Sequence, residues 1–256
     1  MCHRRQGRDL PPARPGPRLW VDARGGVSGN ALLAALLDLG ASLESVDRAV
    51  EALGVGEVRV TMGRVRREGR SAVTVRVRAP QETPAASRWA EIQAILDDAG
   101  LPPAVAGPAH SVLLTLVEAE AEVLDLPTSD VELPEVGVLD TLGVVVAVCA
   151  ALDDLGAGDV TCSPIALGAG SAPTPTGRKL LPEPVIEVLL RQHAVRHGAI
   201  GRQLTTRTGA ALLATLAATA SAPPSAPAEA EVRVGTGTAG RDTVGPVLLW
   251  VHLLPA

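Results

Sequence analysis

Acidic side chains gather at one point of the sequence, directly before its longest apolar run. The stretch VELPEVGVLDTLGVV, residues 131–145, places Glu132, Glu135 and Asp140 around the start of that run, which extends over 141–152. The dipole of a helix favours carboxylates near its N-terminus, which would explain the cluster by structure alone. The same carboxylates could also hold a hard cation or transfer a proton. Both interpretations stay open at this point.

A glycine-rich loop near the start of the chain is a second place where chemistry is possible. LWVD, residues 19–22, predicts a short buried strand, and a helix is expected from Asn30 after ARGGVSG. A turn of this kind can present backbone N–H groups to an anion. Asp22, Ser28, Gly29 and Asn30 are therefore candidate ligand-binding residues. The loop matches neither a Walker loop nor a dinucleotide-binding glycine motif, so a plain helix start is the alternative.

Two segments further along the chain have a similar character. GAGSAPTPTGRK, residues 168–179, is expected to be a long loop, and its Arg178 and Lys179 could meet a phosphate or form a solvated surface pair. In QLTTRTGAALL, residues 203–213, Thr206 and Thr208 precede a helix. Thr208 is the expected cap of that helix, and the threonine hydroxyls could also face a ligand.

Three weaker patterns complete the search for chemistry. GTGTAGRD, residues 235–242, is either another ligand loop or only the turn of a hairpin. His193 and His197 have a spacing that would suit a metal on a helix, but Gly198 argues against a continuous helix there. The arginines of a predicted hairpin over 57–79 are expected to line a solvated strand face rather than to contact nucleic acid.

The composition limits the class of protein. A length of 256 residues predicts one large domain or two small ones. Phe and Tyr are absent and there are 3 Trp, so the core must be built from Val, Leu, Ile and Ala. A net charge of -5 argues against nucleic acid as a partner. The cysteines show no metal or redox spacing, and Cys149 is expected to be a small core residue.

Location follows from the apolar segments. Residues 1–18 are basic and contain several prolines, and they lack the apolar region of a signal peptide, so we expect a disordered tail. The run over 141–152 is too short to span a bilayer. We therefore expect a cytoplasmic protein with no membrane partner.

Helices and strands are expected to alternate irregularly along the chain. The predicted helices cover 30–39, 43–53, 87–98, 103–125, a buried segment ending near 155, 184–191 and 208–218. Ser42 is the expected cap of the helix over 43–53. The predicted strands are 19–22, the hairpin over 57–79, a strand over 158–167, and a closing hairpin formed by 230–237 and 245–254. This order predicts an α+β or mixed α/β fold, with interleaved helices and strands around a mixed sheet.

Taken in chain order, these segments resemble the LarC-type nickel-insertion family of nickel-pincer cofactor biosynthesis. That family opens with a strand, an Asp, a Gly-x-Ser-Gly segment and a helix, which Asp22, Gly26, Ser28 and Gly29 match here. ELPEVGVLDT resembles its His-x-His-Glu-Val-Gly-x-x-Asp-Ser segment, and TRTGAALL its Thr-Pro-Thr-Gly-Ala-Ala-Leu-Leu. Further matches are Gly168, Gly170, Gly177, Pro182, Pro184, Gly235, Gly237, Arg241 and Asp242. The resemblance implies a LarC-type N-terminal domain over 19–256.

The sequence departs from this family at residues that suit a metal. Glu132 and Pro134 stand in place of the two histidines of His-x-His, and Val144 replaces an acid one helical turn after Asp140. Three more positions differ: an acid is replaced by Asn30, a histidine by Thr176 and a glutamate by Gln203. Imidazoles suit nickel, whereas the remaining carboxylates suit harder cations. The resemblance thus implies that the opening carboxylates are what survives of a metal or cofactor site.

The resemblance also implies a function. It is the insertion of nickel into pyridinium-3,5-bisthiocarboxylic acid mononucleotide, a lyase-class reaction that uses CTP. The residues implied for the metal are Glu132, Glu135 and Asp140, and those implied for the mononucleotide are Asp22, Ser28, Gly29, Asn30, Arg178, Lys179, Thr206 and Thr208. Mn or Mg with CTP would act through a separately encoded C-terminal domain, and a homo-oligomer is expected. The alternative is a catalytically inactive homologue that binds a small molecule or serves in assembly.

Overall fold

The structure, a computed structural model, contains helices and strands in the interleaved order that the sequence predicts. It describes residues 16–56, 58–78, 88–133, 138–174, 177–220, 222–223, 231–239, 245–246 and 248–255. The helices are α1 Gly29–Asp38, α2 Leu43–Glu51, α3 Trp89–Asp98, α4 Pro103–Leu124, α5 Val138–Asp154, α6 Pro184–Leu189 and α7 Arg207–Leu216. The strands are β1 Arg18–Asp22, β2 Arg59–Arg67, β3 Arg70–Arg78, β4 Val160–Cys162, β5 Ile165–Thr174, β6 Gly177–Leu181, β7 Val195–Ile200, β8 Ala218–Thr219, β9 Arg233–Thr238 and β10 Leu249–Leu254.

The strands form one large mixed sheet and one small sheet. The large sheet has the strand order β2-β3-β9-β10-β1-β4-β8, and the small one has the order β6-β5-β7. In the large sheet β1 pairs antiparallel with β10 and parallel with β4, while β3 pairs parallel with β9. β9 and β10 pair antiparallel, so the predicted closing hairpin is confirmed. This arrangement confirms an α+β fold around a mixed sheet.

The helix α1 lies directly on the large sheet because glycines in β9 let the two backbones approach. It contacts β3, β9 and β10. A Cβ on Gly237 would lie 2.0 Å from the carbonyl oxygen of Ala31, and one on Gly235 would lie 2.0 Å from that of Ala35. No other residue type fits such a contact without a backbone shift. The sheet therefore fixes the position of α1, and with it the loop that leads into this helix.

The helix α5 forms the centre of the core on the far side of α1. It packs against α1, α2 and α4. Its Val- and Ala-rich body over 144–151 is buried throughout. Within it, Cys149 is 2% exposed, and burial raises the pKa of its thiol to about 12, which confirms a core residue and leaves it inert as a nucleophile at neutral pH.

The small sheet corrects the prediction of a long loop over 168–179. Residues 165–174 form β5, which pairs antiparallel with β6, and residues 175–176 lie outside the described residues. Proline is tolerated in this strand because β7 pairs with β5 only over 165–169, so the half around Pro173 needs partners on one side alone. The predicted strand over 158–167 is likewise divided into β4 and β5 by Ser163 and Pro164.

Local signals predicted several other elements correctly. Ser42 caps α2, since its hydroxyl accepts a hydrogen bond from the Ser45 amide at 3.2 Å. His193 lies in a turn and His197 in β7, so the prediction that no continuous helix carries both histidines is confirmed. Among the described residues, no helix is both long and apolar enough to cross a membrane.

Candidate functional site

The starts of α1 and α7 meet at the candidate site. Ser28 caps α1, with its hydroxyl accepting from the Ala31 amide at 3.2 Å. Thr206 caps α7 in the same way, accepting from the Gly209 amide at 3.0 Å. The prediction that Thr208 is the cap was therefore wrong, because α7 begins one residue earlier than expected. Thr208 lies in the first turn of the helix instead.

Hydrogen bonds join the two loops that lead into these helices. The Thr206 amide donates to the Val27 carbonyl at 2.9 Å, and the Val27 amide donates to the Thr205 hydroxyl at 3.2 Å. That hydroxyl in turn donates to the Ala166 carbonyl at 2.7 Å, so β5 anchors the pair. Gly26 has φ +96, and a Cβ there would lie 2.1 Å from the Leu204 carbonyl oxygen. The contact between the loops therefore requires glycine at this position.

The helix α5 reaches the same place from the core. A Cβ on Gly29 would lie 2.4 Å from Val144 Cγ1 and 3.1 Å from Thr208 Cγ2. Asp140 precedes Val144 by four residues on α5, so the two share one face of the helix. The structure thus brings the segments around Ser28, Thr208 and Val144 into contact, with Asp140 one turn away.

Asn30 adds a polar group to this junction. It lies in the first turn of α1, and its Oδ1 is buried with no hydrogen-bond partner among the described residues. A buried amide oxygen without a partner costs free energy, and such groups in a native fold often belong to sites that bind water or a ligand.

The Asp22 carboxylate caps the turn that follows β1. Its carboxylate accepts from the amide of Arg24 at 3.2 Å and from Nε of the same residue at 2.8 Å. Burial raises the pKa of Asp22, but the hydrogen bonds and charge of Arg24 outweigh it, so the pKa of this carboxyl lies below its usual value. Asp22 is therefore an anion at neutral pH, bound within its own loop.

The two cations predicted to meet a phosphate bind protein groups. Arg178 donates to the hydroxyl of Ser171 at 2.9 Å and to its carbonyl at 3.0 Å. Lys179 Nζ lies 2.6 Å from a carboxylate oxygen of Glu183. A phosphate would have to displace these partners to reach either side chain.

A buried ion cluster next to the 203–207 segment was not predicted from the sequence. It consists of Glu120, Lys179, Glu183, Gln203 and Arg207. Arg207 binds both carboxylates, with Nε 2.6 Å from Glu183 Oε2 and Nη1 2.8 Å from Glu120 Oε1. Glu120 follows Leu113, Leu116 and Val117 at helical spacing, and an acid on this apolar face of α4 was the signal that could have found the cluster.

The two carboxylates of the cluster have different electrostatic surroundings. Burial raises the pKa of Glu183, but Lys179 and Arg207 outweigh it, so this pKa lies below its usual value. At Glu120 burial outweighs the attraction of Arg207, with a further contribution from the charge of Glu183, so this pKa lies above its usual value. Glu183 is thus the firmly charged centre of the cluster, and Glu120 the carboxylate that protonates more readily.

The carboxylates at the start of α5 are only partly described. Glu132 is exposed and pairs with Arg88, whose Nη2 lies 3.0 Å from its Oε1. Glu135 lies outside the described residues, and Asp140 is partly buried in the first turn of α5. Among the described residues no three His, Cys, Asp or Glu side chains are grouped as for a metal ion. The metal site of Glu132, Glu135 and Asp140 therefore stays a prediction.

The sequence shows the family of the chain. The family model described as "Nickel insertion protein" matches residues 19–253, which is most of the sequence. The chain therefore belongs to the nickel insertion protein family.

Individual relatives agree with this assignment. A Nocardioides protein named pyridinium-3,5-bisthiocarboxylic acid mononucleotide nickel insertion protein is 38% identical over 226 residues, which cover 88% of this chain and 56% of that protein. Proteins of Thermomicrobium roseum and a Synechococcus species, whose names contain the words nickel insertion protein, are 38% and 35% identical, over 91% of this chain and 57% and 59% of their own lengths. The chain thus spans a little over half the length of these curated relatives. No solved structure matches it.

Proposed function

We propose that this protein takes part in inserting nickel into pyridinium-3,5-bisthiocarboxylic acid mononucleotide, with nickel and the mononucleotide as its substrates. The observation that carries the proposal is the contact between the starts of α1 and α7 and the face of α5 that bears Asp140 and Val144. This junction unites three of the segments in which the chain resembles its family, although they are far apart in sequence.

The mononucleotide phosphate would bind at the starts of α1 and α7. Free amides in the first turn of a helix and the helix dipole both favour an anion. Ser28 and Thr206 each satisfy one amide of their helix, which leaves other first-turn amides and the hydroxyl of Thr208 for a ligand. The partnerless Oδ1 of Asn30 would accept a hydrogen bond from a ribose hydroxyl.

Nickel would be handled by the carboxylates around the start of α5. Asp140 is the carboxylate closest to the helix starts along α5, and Glu132 and Glu135 precede it in the chain. Carboxylates bind divalent ions, but they bind nickel less selectively than imidazoles do. A set without histidine suits transient delivery of the ion better than permanent storage.

One observation favours a second function, that of a non-catalytic binding protein. Val144 fills the position beside Gly29 where the family has an acid, and it is 4% exposed. An apolar side chain there removes one oxygen ligand from the junction. A protein altered in this way would still bind the mononucleotide, and it would pass it to a partner chain.

The rest of the reaction would come from a region that the relatives have outside the part that matches this chain. The relatives are longer than this chain, which covers 56% of the Nocardioides protein. We propose that a C-terminal domain supplies the CTP-dependent step together with Mn or Mg, and that the protein acts in the cytoplasm as a homo-oligomer.

A nickel-transfer assay separates the two functions. The purified protein is incubated with nickel, CTP and the mononucleotide precursor, with and without the C-terminal portion of the Nocardioides relative, and the nickel-containing product is measured by absorbance and mass spectrometry. Product in either mixture supports nickel insertion. Binding of the precursor without product in both mixtures supports the non-catalytic function, and the absence of binding contradicts both.

A further inference from the structure

One buried carboxylate holds both ends of the segment over 203–207. Gln203 Nε2 donates to Glu183 Oε1 at 2.7 Å, and Arg207 Nε donates to Glu183 Oε2 at 2.6 Å. The Glu183 side chain is 3% exposed, so these hydrogen bonds do not compete with bulk water. The segment between its two attachment points therefore has little freedom to change its conformation.

The held segment carries the contacts that position the candidate site. Within it lie Thr205, whose hydroxyl accepts from the Val27 amide, and Thr206, whose amide donates to the Val27 carbonyl. Val27 directly precedes the Ser28 cap of α1. A displacement of Arg207 would therefore be passed to both helix starts at once.

The geometry around Arg207 requires an arginine. Its guanidinium places Nη1 2.8 Å from Glu120 Oε1 while Nε and Nη2 both lie 2.6 Å from Glu183 Oε2. A lysine ammonium is a single point charge on a flexible stem and cannot span two carboxylates in this fixed orientation. Arg207→Lys therefore conserves the positive charge and removes the fixed orientation of the guanidinium between the two carboxylates.

We propose that Arg207 is a positioning residue, held by Glu120 and Glu183, that fixes the Thr206–Thr208 turn and the Ser28 loop in the arrangement that binds the mononucleotide. Arg207 does not itself contact the ligand, because its donors already bind the two carboxylates. Lys179 balances the second negative charge of the cluster and is likewise kept from the phosphate. The ligand in this proposal rests on the proposed function, whereas the positioning of the two loops does not.

The test compares Arg207→Lys with a matched control. Arg191→Lys is the control, since Arg191 also pairs with a carboxylate of α4, Glu122, while its other hydrogen bond among the described residues goes to the Val188 carbonyl and not to the 203–207 segment. Amide hydrogen exchange over 26–31 and 203–210 reports the loops, and calorimetric titration with nicotinate mononucleotide reports binding. Gln203→Leu is a second variant, for use if Arg207→Lys does not fold. It removes the other attachment to Glu183 together with the hydrogen bond from Gln203 Nε2 to the Thr205 carbonyl.

The expected result is faster exchange at both loops and roughly tenfold weaker binding in Arg207→Lys, with neither change in Arg191→Lys. Unchanged exchange at the loops in a folded variant overturns the proposal, whether or not binding is lost, because lost binding alone would mean that Arg207 contacts the ligand. Faster exchange with unchanged binding overturns it as well. If the wild-type protein does not bind nicotinate mononucleotide, the proposed ligand fails, and the exchange data alone then support or overturn the positioning role.

Discussion

At the scale of single residues, the buried carboxylates Glu120 and Glu183 contribute differently to the stability of the fold, although both bind Arg207. Glu183 also has Lys179 and Gln203 as partners, whereas Glu120 is bound by Arg207 among the described residues. A buried charge that keeps several partners is costly to remove, because it leaves the opposite charges uncompensated. The two carboxylates should therefore respond differently to the same substitution.

Glu183→Gln should destabilise the protein at pH 7 by about 3 kcal/mol, since Lys179 and Arg207 lose their shared partner. Because the pKa of Glu183 is lowered in the folded state, its contribution is complete above the ordinary pKa of 4.5 and is lost as the pH falls through the lowered value. Urea denaturation across pH 3 to 8 measures this contribution, as a loss in the variant that persists down to about pH 4.5. A variant as stable as the wild type at pH 7 would contradict the central place of Glu183.

Glu120→Gln should have the opposite pH dependence. The raised pKa of Glu120 means that the folded protein loses stability as the pH rises from 4.5 through that raised value, and glutamine removes this loss. At pH 7 we expect the variant to lie within about 1 kcal/mol of the wild type, because relief from burying a charge offsets a weakened bond to Arg207. The same denaturation series measures it, and a loss as large as that of Glu183→Gln would show that burial does not dominate at Glu120.

A substitution of Asp140 distinguishes a metal site at the start of α5 from a carboxylate that only favours the helix dipole. Asparagine at this position should cost at most about 1 kcal/mol if the carboxylate only favours the helix dipole. If Asp140 belongs to a cation site, millimolar Mn²⁺ or Mg²⁺ should raise the melting temperature of the wild type, and Asp140→Asn should lose most of that rise. Differential scanning calorimetry of both proteins with and without the ions decides, and an equal response of the two proteins would remove Asp140 from the site.

At the scale of elements, the contact between the two loops depends on Gly26. Gly26→Ala adds a Cβ that would lie 2.1 Å from the Leu204 carbonyl oxygen at φ +96, so the loops must separate. Gly54→Ala is a control for an added Cβ at positive φ without a close neighbour, because Gly54 has a φ of 64 and nothing within 4 Å of an added Cβ. Gly26, with a φ of 96 and a ψ of -177, has in addition a backbone conformation that only glycine adopts readily. We expect a loss of about 1 kcal/mol for Gly54→Ala and at least about 2 kcal/mol more for Gly26→Ala, measured by urea denaturation. Equal losses would mean that the loops adapt to the added Cβ.

Some helices, strands and contacts of the structure could be predicted from the sequence, and others could not. Ser42 was predictable as a cap because a cap depends on neighbours within a few residues, and the closing hairpin was predictable because its two strands follow one another along the chain. The β5–β6 hairpin was mistaken for a loop, since proline and glycine are rare in strands that pair fully on both sides. The cluster around Arg207 was missed because Glu120, Glu183 and Arg207 are distant in the sequence, and no local pattern relates them. The candidate loops were found, but their contact at one junction follows only from the fold.

At the scale of the whole molecule, we expect self-association. The strands β2 and β6 end their sheets among the described strands, and each has an exposed apolar side chain, Met62 at 44% and Leu180 at 75%. Edge strands with exposed apolar groups are frequent sites of association. Light scattering after size-exclusion chromatography should give a mass above that of the 26.2 kDa chain, and Leu180→Lys should lower it if β6 is the interface. A monomeric mass at all concentrations would rule out the homo-oligomer.

The contact between the starts of α1 and α7 is the basis of the proposed function, and a crystal structure with nicotinate mononucleotide tests it most directly. The account predicts that the phosphate lies against the first-turn amides of these two helices, near Ser28 and Thr208, with Arg207 still bound to Glu120 and Glu183. Density for the mononucleotide at any other place, or none at a saturating concentration, would contradict it.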